Sequence, residues 1–562
     1  GESGRLRPSI AALCVAAVVV GVLAYALVNV RQTVVHYDPI ARPPQVLEDR
    51  ARAIAERLGT DPPAQRAHGF ATDRRLLGWL REQDATRGRW QALRAASLPA
   101  VVYWYRQSPR AMNPVSLAGR ITRSDPPFNV SGEVRILLDT DGHLISYETV
   151  PPEWVAAGAG TAADSAAVSA DSARVDWSAL FADAGLDPTA FVPVAPEWTP
   201  YMYADRRVAW TGTLPDRSDI ELRVEGAAFR GRPVDFMLIG PWTVPARMES
   251  ETVTRSDRVS QLAVVAVVVV VFIGAFVLAL RNVQEGVGDR RGAWRLSLFI
   301  AGISQLQWAL LASHQASAAD EVNNFFAGAA GSLLIAALFA AFYLALEPYV
   351  RKTWPGQIVG WSRLIAGRFT DPLIGRDILV GAVFFCGLEL VTTGRILAFE
   401  AAGAPLHNLD ASAWAVLLGP ARLLGEFLGR IQISAFNAMF FMLSLLILRL
   451  LLRNQRVAIV AFAIILFVAV FLTASPEIRT VAALEGLVAA LLFSFVLFRY
   501  GLLAFFVGFF FNHLLGDYPV TFDGSLWYQG TSMVAPALIL AATLYGMRLV
   551  TRGARHVPAA GR

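Results

Sequence analysis

The sequence contains uncharged apolar stretches long enough to cross a lipid bilayer, and this feature limits its fold more than any other. The first covers residues 10–30 and follows Arg5 and Arg7. At about 1.5 Å of rise per residue, a helix of this length spans the roughly 30 Å hydrocarbon core. Because 55% of the residues are hydrophobic and only 17% are charged, the composition excludes a soluble enzyme, a disordered chain and a nucleic-acid-binding module. We therefore expect a multi-pass α-helical membrane protein.

Apolar runs recur beyond residue 258 and predict a polytopic membrane domain over residues 258–550. Together with residues 10–30, the predicted spans are Val259–Leu280, Leu296–Ala312, Phe325–Leu346, Ile378–Ala398, Ile431–Leu452, Val457–Leu472, Val481–Phe498, Leu502–Leu515 and Ser532–Leu549, about ten in all. Between the spans at 481–498 and 502–515, Arg499-Tyr500-Gly501 fits either a tight turn or a kink in one long helix. Residues 10–30 exceed the roughly 7–15 apolar residues of a signal peptide, which favours a retained anchor behind a short cytoplasmic end at 1–9.

The placement of arginine predicts the orientation of these spans, because short cytoplasmic loops carry an excess of positive residues. With the N-terminus inside, the inner loops hold Arg281, Arg290, Arg291, Arg295, Arg351, Lys352, Arg363, Arg368, Arg376, Arg449, Arg453, Arg456 and Arg499. The outer loops hold Asp320, Glu321, Glu400, Asp410, Asp517 and Asp523, with Arg422, Arg430 and Arg479 as exceptions. We expect both termini in the cytoplasm, a basic tail at 551–562, and residues 31–257 outside.

Residues 31–257 have the composition of a soluble domain, and their pattern predicts an inserted α+β fold. One helix is expected at Gln45–Leu58 and another at Asp176–Gly185. Alternating or aromatic runs predict strands at Val101–Tyr105, Glu133–Leu138, His143–Tyr147, Arg206–Thr211, Ile220–Phe229 and Pro233–Ile239. Residues 156–174, rich in alanine, glycine and serine, predict a linker between two related subdomains at 31–155 and 175–250.

Searches for catalytic and metal-binding motifs find none. The histidines are scattered without a pair at metal-ligand spacing, and Asp139 and Asp141 fit a hairpin turn better than a calcium loop. Lys352 is the only lysine, and it is not preceded by a phosphate-binding glycine loop. A kinase core is excluded because its lysine, HRD and DFG motifs are missing. We expect no catalytic residue, no metal and no cofactor in this chain.

The candidate site residues among the polar residues at predicted membrane depth are Glu389, Arg395, Asn437 and Glu485. A carboxylate in lipid costs about 2.5–3.5 kcal/mol on insertion scales, so it is a functional candidate by default. The more ordinary interpretation is that Glu389 pairs with a polar group on a neighbouring helix and holds the bundle together. A transporter that couples protons or ions, or an intramembrane enzyme, is the alternative.

A long inner loop at 347–377 interleaves aromatic and charged residues. Its candidate contact residues are Trp354, Trp361, Arg363, Arg368, Asp371 and Arg376. A segment of this composition is expected either to lie along the anionic inner leaflet or to bind a cytoplasmic partner.

Several segments of the chain resemble large bacterial membrane-bound serine/threonine protein kinases. They are LEPYVRKTWP at 346–355, WSRLIAGRFTDPLIGRD at 361–377, YWYRQSPR at 103–110, DPPFNVSGEVRILLDTDGHLISY at 125–147 and PVTFDGSLWYQGTSM at 519–533. In that family a cytoplasmic kinase domain precedes an anchor, an extracytoplasmic region and a polytopic membrane domain. The kinase domain is absent from this chain, so the resemblance covers the non-catalytic C-terminal region.

This resemblance implies a sensory and membrane-anchoring region that relays an extracytoplasmic or membrane signal to an ATP-dependent kinase domain. The expected location is the bacterial inner membrane. Implied partners are membrane lipids, the kinase domain in cis, an unknown extracytoplasmic ligand and a second copy in a homodimer, and nucleic acid is not among them. The extracytoplasmic motif contributes Tyr103, Trp104, Tyr105 and Arg106 as candidate site residues. The alternative is a standalone transporter-like protein that uses the intramembrane polar residues.

Overall fold

The computed structural model describes residues 6–84, 90–95, 98–116, 118–155, 175–215, 217–248, 255–315, 317–401, 414–473 and 479–552. These residues form a helical bundle and an antiparallel sheet domain, the latter lying between the first and second long apolar helices. The predicted linker at 156–174 and nearly all of the tail at 551–562 lie outside the described residues.

Fourteen helices account for most of the described regular structure. They are α1 Pro8–Val28, α2 Pro44–Arg57, α3 Arg74–Gln83, α4 Trp177–Asp183, α5 Arg255–Gln284, α6 Arg290–Leu311, α7 Ala318–Thr353, α8 Pro355–Ile365, α9 Pro372–Ala401, α10 Pro420–Leu452, α11 Gln455–Thr473, α12 Arg479–Arg499, α13 Leu502–Asp517 and α14 Val534–Arg552. Short helical turns at Asn29–Gln32, Val34–Tyr37, Gln91–Ala95, Pro188–Ala190, Trp414–Leu418 and Gln529–Ser532 connect or precede them.

Seven helical segments in the described part of the chain are long and apolar enough to cross a bilayer. They include α1, α5, α7, α10, α11, α12 and the segment Gln529–Thr551 that contains α14. The prediction of a multi-pass helical membrane protein is therefore confirmed. The other predicted spans correspond to α6, α9 and the shorter α13, and the count of ten stays a prediction.

The segment Arg499-Tyr500-Gly501 is a turn that separates two helices. Gly501 adopts φ +94°, a left-handed conformation that glycine enters without steric cost. Its Cα also lies against the backbone of Gln357, where a Cβ would collide with the carbonyl oxygen. The side chain of Gln357 donates a 2.5 Å hydrogen bond to the carbonyl oxygen of Phe498 and so satisfies the end of α12.

The sheet consists of eight antiparallel strands in the order β1-β2-β3-β4-β8-β7-β6-β5. Their bounds are β1 Gln65–Thr72, β2 Val101–Ser108, β3 Val134–Leu138, β4 Leu144–Thr149, β5 Val192–Val194, β6 Arg206–Leu214, β7 Arg217–Phe229 and β8 Arg232–Ile239. Two four-stranded meanders meet through the β4–β8 pair, so the strands of both predicted subdomains share one sheet. All six predicted strands are present, whereas β1 and β5 were not predicted.

One face of the sheet carries the apolar core of the domain. Tyr105, Ile136, Tyr147 and Phe236 lie side by side across β2, β3, β4 and β8 because their registers align, and each is buried. Helix α2 packs on the first meander, and Phe181 of α4 makes an edge contact with Phe236 at 5.8 Å between centroids. The apolar positions of both helices thus determine which face is the core.

The opposite face is charged, and one of its ion pairs is fully buried. Arg106 and Glu133 pair with side chains only 0% and 1% exposed. Arg106 also donates to the carbonyl oxygens of Thr122 at 3.1 Å and Pro126 at 2.8 Å. These bonds hold the loop at 109–132 over this face of the sheet.

The sheet domain is attached to one end of the bundle, which we call the sheet end. Arg120 pairs with Glu426 of α10 at 3.1 Å, and the indole of Trp414 donates to the hydroxyl of Thr72 at 3.4 Å. Ser313, just beyond α6, accepts a 3.0 Å hydrogen bond from the amide of Ile121 through its hydroxyl. These contacts join the 109–132 loop and the end of β1 to α6 and α10.

Helix α9 packs very closely against three other helices. A Cβ added to Gly381 would lie 2.5 Å from the carbonyl oxygen of Ala504 in α13, and one added to Gly375 would lie 2.7 Å from that of Gly546 in α14. Cys386 lies on Gly21 of α1, where a Cβ would meet its sulfur at 2.6 Å. Small residues at these crossings permit backbone-to-backbone approach, which is a main source of helix association in membranes.

We predict that Glu133→Gln strongly destabilises the sheet domain, because it leaves the Arg106 charge buried without a counter-charge. Breaking a buried ion pair in this way costs about 3–5 kcal/mol. Hydrogen exchange of the β2 and β3 amides in the full chain would measure the loss. The control is Asp219→Asn, which removes the partner of Arg217 in an exposed pair and should leave exchange unchanged. Equal protection of β2 and β3 in wild type and Glu133→Gln would contradict the prediction.

Candidate ligand-binding groove

A groove of about 850 Å³ lies along one end of the sheet, where β3, β4 and β8 are adjacent. Its floor on the charged face is a row of aligned residues, Leu137, Ser146 and Met237, which neighbour one another across the three strands. Pockets that hold small ligands in proteins commonly range from about 300 to 1,000 Å³ and combine an apolar lining with few polar groups. The size and floor of this groove fit that description.

The first rim of the groove is the loop at 109–132, which carries Arg123. A tight turn holds this residue: the amide of Thr122 donates to the carbonyl oxygen of Asp125 at 2.7 Å. The carboxylate of Asp125 in turn accepts from the amides of Val115 at 2.8 Å and Ser116 at 3.0 Å. Arg106 also donates to the carbonyl oxygen of Thr122. Hydrogen bonds therefore hold the backbone in place on both sides of Arg123.

The opposite rim is formed by α3 and the segment that follows β8. Trp79 of α3 packs on Trp242 with ring centroids 5.4 Å apart, and Arg75 donates a 3.0 Å hydrogen bond to the carbonyl oxygen of Val244. Asp73 caps α3 by accepting from the amides of Arg75 and Leu76. Its neighbour Thr72 is the residue bonded to the bundle by Trp414, so this rim is also anchored.

Arginine is the dominant charged residue within the groove. Arg135 forms two hydrogen bonds with Glu148, at 2.6 and 2.8 Å, and lies 4.7 Å above the Phe128 ring. Arg123 lines the same space. Arg123 is an exposed residue, but the surrounding protein lowers its pKa, first through burial and then through repulsion by Arg135.

The carboxylates that line the groove already accept hydrogen bonds. Glu148 binds Arg135, and Asp73 caps α3. Asp139 accepts from the amides of Asp141 and His143 and from the His143 ring at 2.8 Å. This last hydrogen bond raises the pKa of His143 above its usual value. Glu148 is thus paired with the charge of Arg135, and the other two carboxylates are held by amide donors.

Asp235 is buried on the charged face beside the groove, opposite Glu148 in the β4–β8 pair. Burial raises its pKa to about 8, and the nearby negative charge of Glu148 adds to this effect. The Asp235 carboxyl is consequently protonated at neutral pH and can donate as well as accept a hydrogen bond.

The residues of the Tyr-Trp-Tyr-Arg motif lie in the sheet but do not line the groove. Tyr103 and Tyr105 point into the apolar core, where the hydroxyl of Tyr103 donates to the carbonyl oxygen of Pro44 at 3.2 Å. Trp104 covers Gly69 of β1, and Arg106 is the buried ion-pair partner described above. Each of these four side chains has a packing role.

The intramembrane polar residues are each paired with a neighbouring helix. Glu389 of α9 accepts a 3.0 Å hydrogen bond from Asn512 of α13. Arg395 lies 3.3 Å from Glu485 of α12. Asn437 of α10 lies 3.2 Å from the ring of His513, so the four predicted residues fall into three separate pairs. Among the described residues, no cluster of three histidine, cysteine or acidic side chains could hold a metal ion.

The segment 347–377 lies at the end of the bundle opposite the sheet. Its two indoles are buried: Trp354 contacts Phe498 at 5.0 Å and Trp361 contacts Phe506 at 5.7 Å between centroids. Two ion pairs brace the segment, Arg363 with Asp371 and Arg376 with Asp377, each at 2.7 Å. The exposed side chain among the predicted contact residues is Arg368, and a role for this segment in binding lipid or a partner stays a prediction.

Comparison with known proteins returns no match: neither a protein-family model, nor a curated protein, nor a solved structure is similar to this chain.

Sequence analysis did not identify the groove. Its rims come from the end of β1, the 109–132 loop and the segment after β8, which only the folded sheet brings together. One signal was present, because Arg135 interrupts the apolar run of the Glu133–Leu138 strand and therefore had to face away from the core. Arg123 lies in a loop, where an arginine is ordinarily exposed, and carried no such signal.

We predict that Asp235 makes the stability of the sheet domain decrease as pH rises. Its pKa is about 8 in the folded state against 3.8 for an unperturbed aspartate, so its contribution is complete below about pH 4 and is lost as pH rises through about 8. The expected slope is at most about 1.4 kcal/mol per pH unit. Chemical denaturation of the full chain across this range measures it.

The variant Asp235→Asn should flatten this pH dependence, since an amide resembles the protonated carboxyl at every pH. Asp61→Asn, at an exposed aspartate, serves as the control and should retain the wild-type slope. A wild-type slope in Asp235→Asn would show that another group causes the pH dependence.

Proposed function

We propose that this chain is the sensory and membrane-anchoring region of a transmembrane serine/threonine protein kinase. The observation that carries the proposal is that both rims of the groove are attached to the beginning of one bundle helix, α10. Thr72 is bonded to Trp414, a few residues before α10, and Arg120 to Glu426 in its second turn. A ligand that changes the distance between the rims would therefore act on α10 directly.

A continuous path of packed helices leads from α10 to the N-terminal helix. Phe427 of α10 contacts Phe510 of α13 at 5.7 Å, and Phe511 contacts Phe385 of α9 at 6.2 Å between centroids. Cys386 then lies on Gly21 of α1. In the resembled family the kinase domain precedes this helix, so a shift between two arrangements of the bundle would reach it.

The distribution of charge supports an extracytoplasmic sheet domain in a bacterial inner membrane. The end of the bundle opposite the sheet carries most of the arginines that flank the membrane helices, and such residues favour the cytoplasmic side. They include Arg281, Arg290, Arg291, Arg295, Arg351, Arg363, Arg368, Arg376, Arg449, Arg453, Arg456, Arg499 and Arg548. This orientation leaves the N-terminus and the proposed kinase domain in the cytoplasm.

The intramembrane pairs favour the sensor over a transporter. Glu389 is bound by Asn512, and Glu485 lies beside Arg395. Pairs of this kind stabilise a helical bundle without any requirement for transport. The intramembrane pairs also lie at different helix contacts and do not form one site, whereas the polar groups of the groove lie together.

We predict that Arg120→Ala in the complete polypeptide encoded by this reading frame changes the rate of autophosphorylation at least about 5-fold. Allosteric coupling is typically 1–3 kcal/mol, which corresponds to 5–150-fold. The substitution detaches one rim from α10, while Glu426 keeps Arg430 at 3.2 Å as a partner. Arg110→Ala, at an exposed arginine on the same loop, is the matched control. Equal rates for Arg120→Ala and wild type, or a reading frame without kinase motifs, would count against the proposal.

The proposed orientation predicts which introduced cysteines react from outside the cell. In a Cys14→Ala and Cys386→Ala background, Asp219→Cys on the sheet and Arg368→Cys at the opposite end are both at exposed positions. A membrane-impermeant maleimide should label Asp219→Cys in intact spheroplasts and Arg368→Cys only after lysis. The reverse pattern would overturn the orientation.

A further inference from the structure

The groove presents a cation that no carboxylate of the described protein contacts directly, although the charges of Glu148 and Asp73 act on it from a distance. Within the part of the chain that the structure describes, the Arg123 guanidinium has no hydrogen-bond or ion-pair partner, although it lines the groove beside Arg135. Glu148, the carboxylate that acts most strongly on Arg123, is held in two hydrogen bonds by Arg135. Asp73 and Asp139 likewise accept from neighbouring amides. An anion from solution would therefore meet an arginine that is already positioned.

The side chains around Arg123 indicate that a ligand should have an apolar part as well as a negative charge. Leu137 and Met237 contribute apolar surface to the groove, and Trp242 forms part of the far rim. Trp242 is held against Trp79, so its ring is fixed before any ligand arrives. A small inorganic anion would leave this apolar surface uncovered, whereas an organic acid with an apolar body would bury it.

The loop that carries Arg123 is also the loop that reaches the membrane helices. Arg120, three residues earlier, binds Glu426, and Ile121 binds Ser313. An acid held between Arg123 and the Trp242 rim would contact both groove rims at once. Binding of the acid would thus also fix the distance between the two rims, and with it the distance between their two attachments to the bundle.

We infer that the groove binds a small amphipathic carboxylic acid, with Arg123 holding the carboxylate and Leu137, Met237 and Trp242 covering the apolar body. This inference rests on the proposed sensory function and specifies the chemical class of its ligand. Guanidinium and carboxylate match in geometry and form paired, charge-assisted hydrogen bonds. A neutral ligand of the same shape would leave Arg123 desolvated and unpaired, which selects against it.

Calorimetric titration of the full chain in lipid nanodiscs tests the inference, with empty nanodiscs subtracted. The probes are 4-phenylbutyrate, 3-indolepropionate and octanoate, with 4-phenylbutanol as the neutral counterpart and acetate as the acid without an apolar body. We expect saturable binding of at least one of the three acids. Binding of its control compounds should be at least ten-fold weaker.

The variant Arg123→Gln should lower the affinity for the acid at least ten-fold. Arg123→Lys should retain part of the affinity because it keeps the positive charge. Arg110→Gln, at an exposed arginine that does not line the groove, should bind as wild type. An unchanged thermal midpoint in Arg123→Gln would show that the sheet remains folded. The inference is overturned if none of the acids binds saturably, if 4-phenylbutanol binds as well as 4-phenylbutyrate, or if Arg123→Gln binds as wild type.

The two proposals can fail separately. Loss of acid binding with an intact effect of Arg120→Ala on autophosphorylation would overturn the ligand class alone. Acid binding that depends on Arg123, without any effect of Arg120→Ala, would support the ligand site and overturn the sensory function.

Discussion

The antiparallel pairing of β4 with β8 joins two meanders that would each expose an unpaired strand edge without it. Tyr147 and Phe236 meet in this pair on the core face, and Ser146 and Met237 meet on the other face. The first contact makes the apolar core continuous across both halves of the domain. The second forms the groove floor together with Leu137. The groove is therefore a product of the junction and belongs to neither meander alone.

The attachment of the sheet to the bundle combines apolar packing with specific polar contacts. Hydrogen bonds and one ion pair connect the sheet domain to Trp414, Glu426 and Ser313. Polar contacts of this kind have strict geometry: Glu426 binds Arg120 through Oε1 and Arg430 through Oε2 at the same time. Trp414, Val416 and Leu417 belong to the same buried core cluster as Phe70, so apolar contacts hold the domain at the bundle beside these polar ones.

Much of the secondary structure could be predicted from the sequence, because alternation and apolar length act locally. The strands with an aromatic or alternating pattern were found, and so were the long helices. Strand β1 was missed because its apolar pattern is weak, with Gly69 where Trp104 packs across it. Strand β5 was missed because it has only three residues and contains Pro193, and proline is unfavourable within strands.

The site was harder to predict, because its residues are distant in the chain and their roles depend on partners. Tyr103 and Arg106 drew attention as an aromatic and basic motif, yet one packs in the core and the other forms a buried ion pair. Trp354 and Trp361 drew attention for the same reason and are also buried. Composition indicates which side chains can recognise a ligand, but only the fold shows which of them remain unsatisfied.

The close packing of α9 has a mechanical consequence. Gly375, Gly381 and Cys386 bring three different partners into near contact around its circumference. Rotation about the helix axis would drive side chains into these neighbouring backbones, and tilting would separate at least one of them. Sliding along the axis would likewise carry a larger residue into each crossing, so α9 is held in one position relative to α1, α13 and α14 and must move together with them.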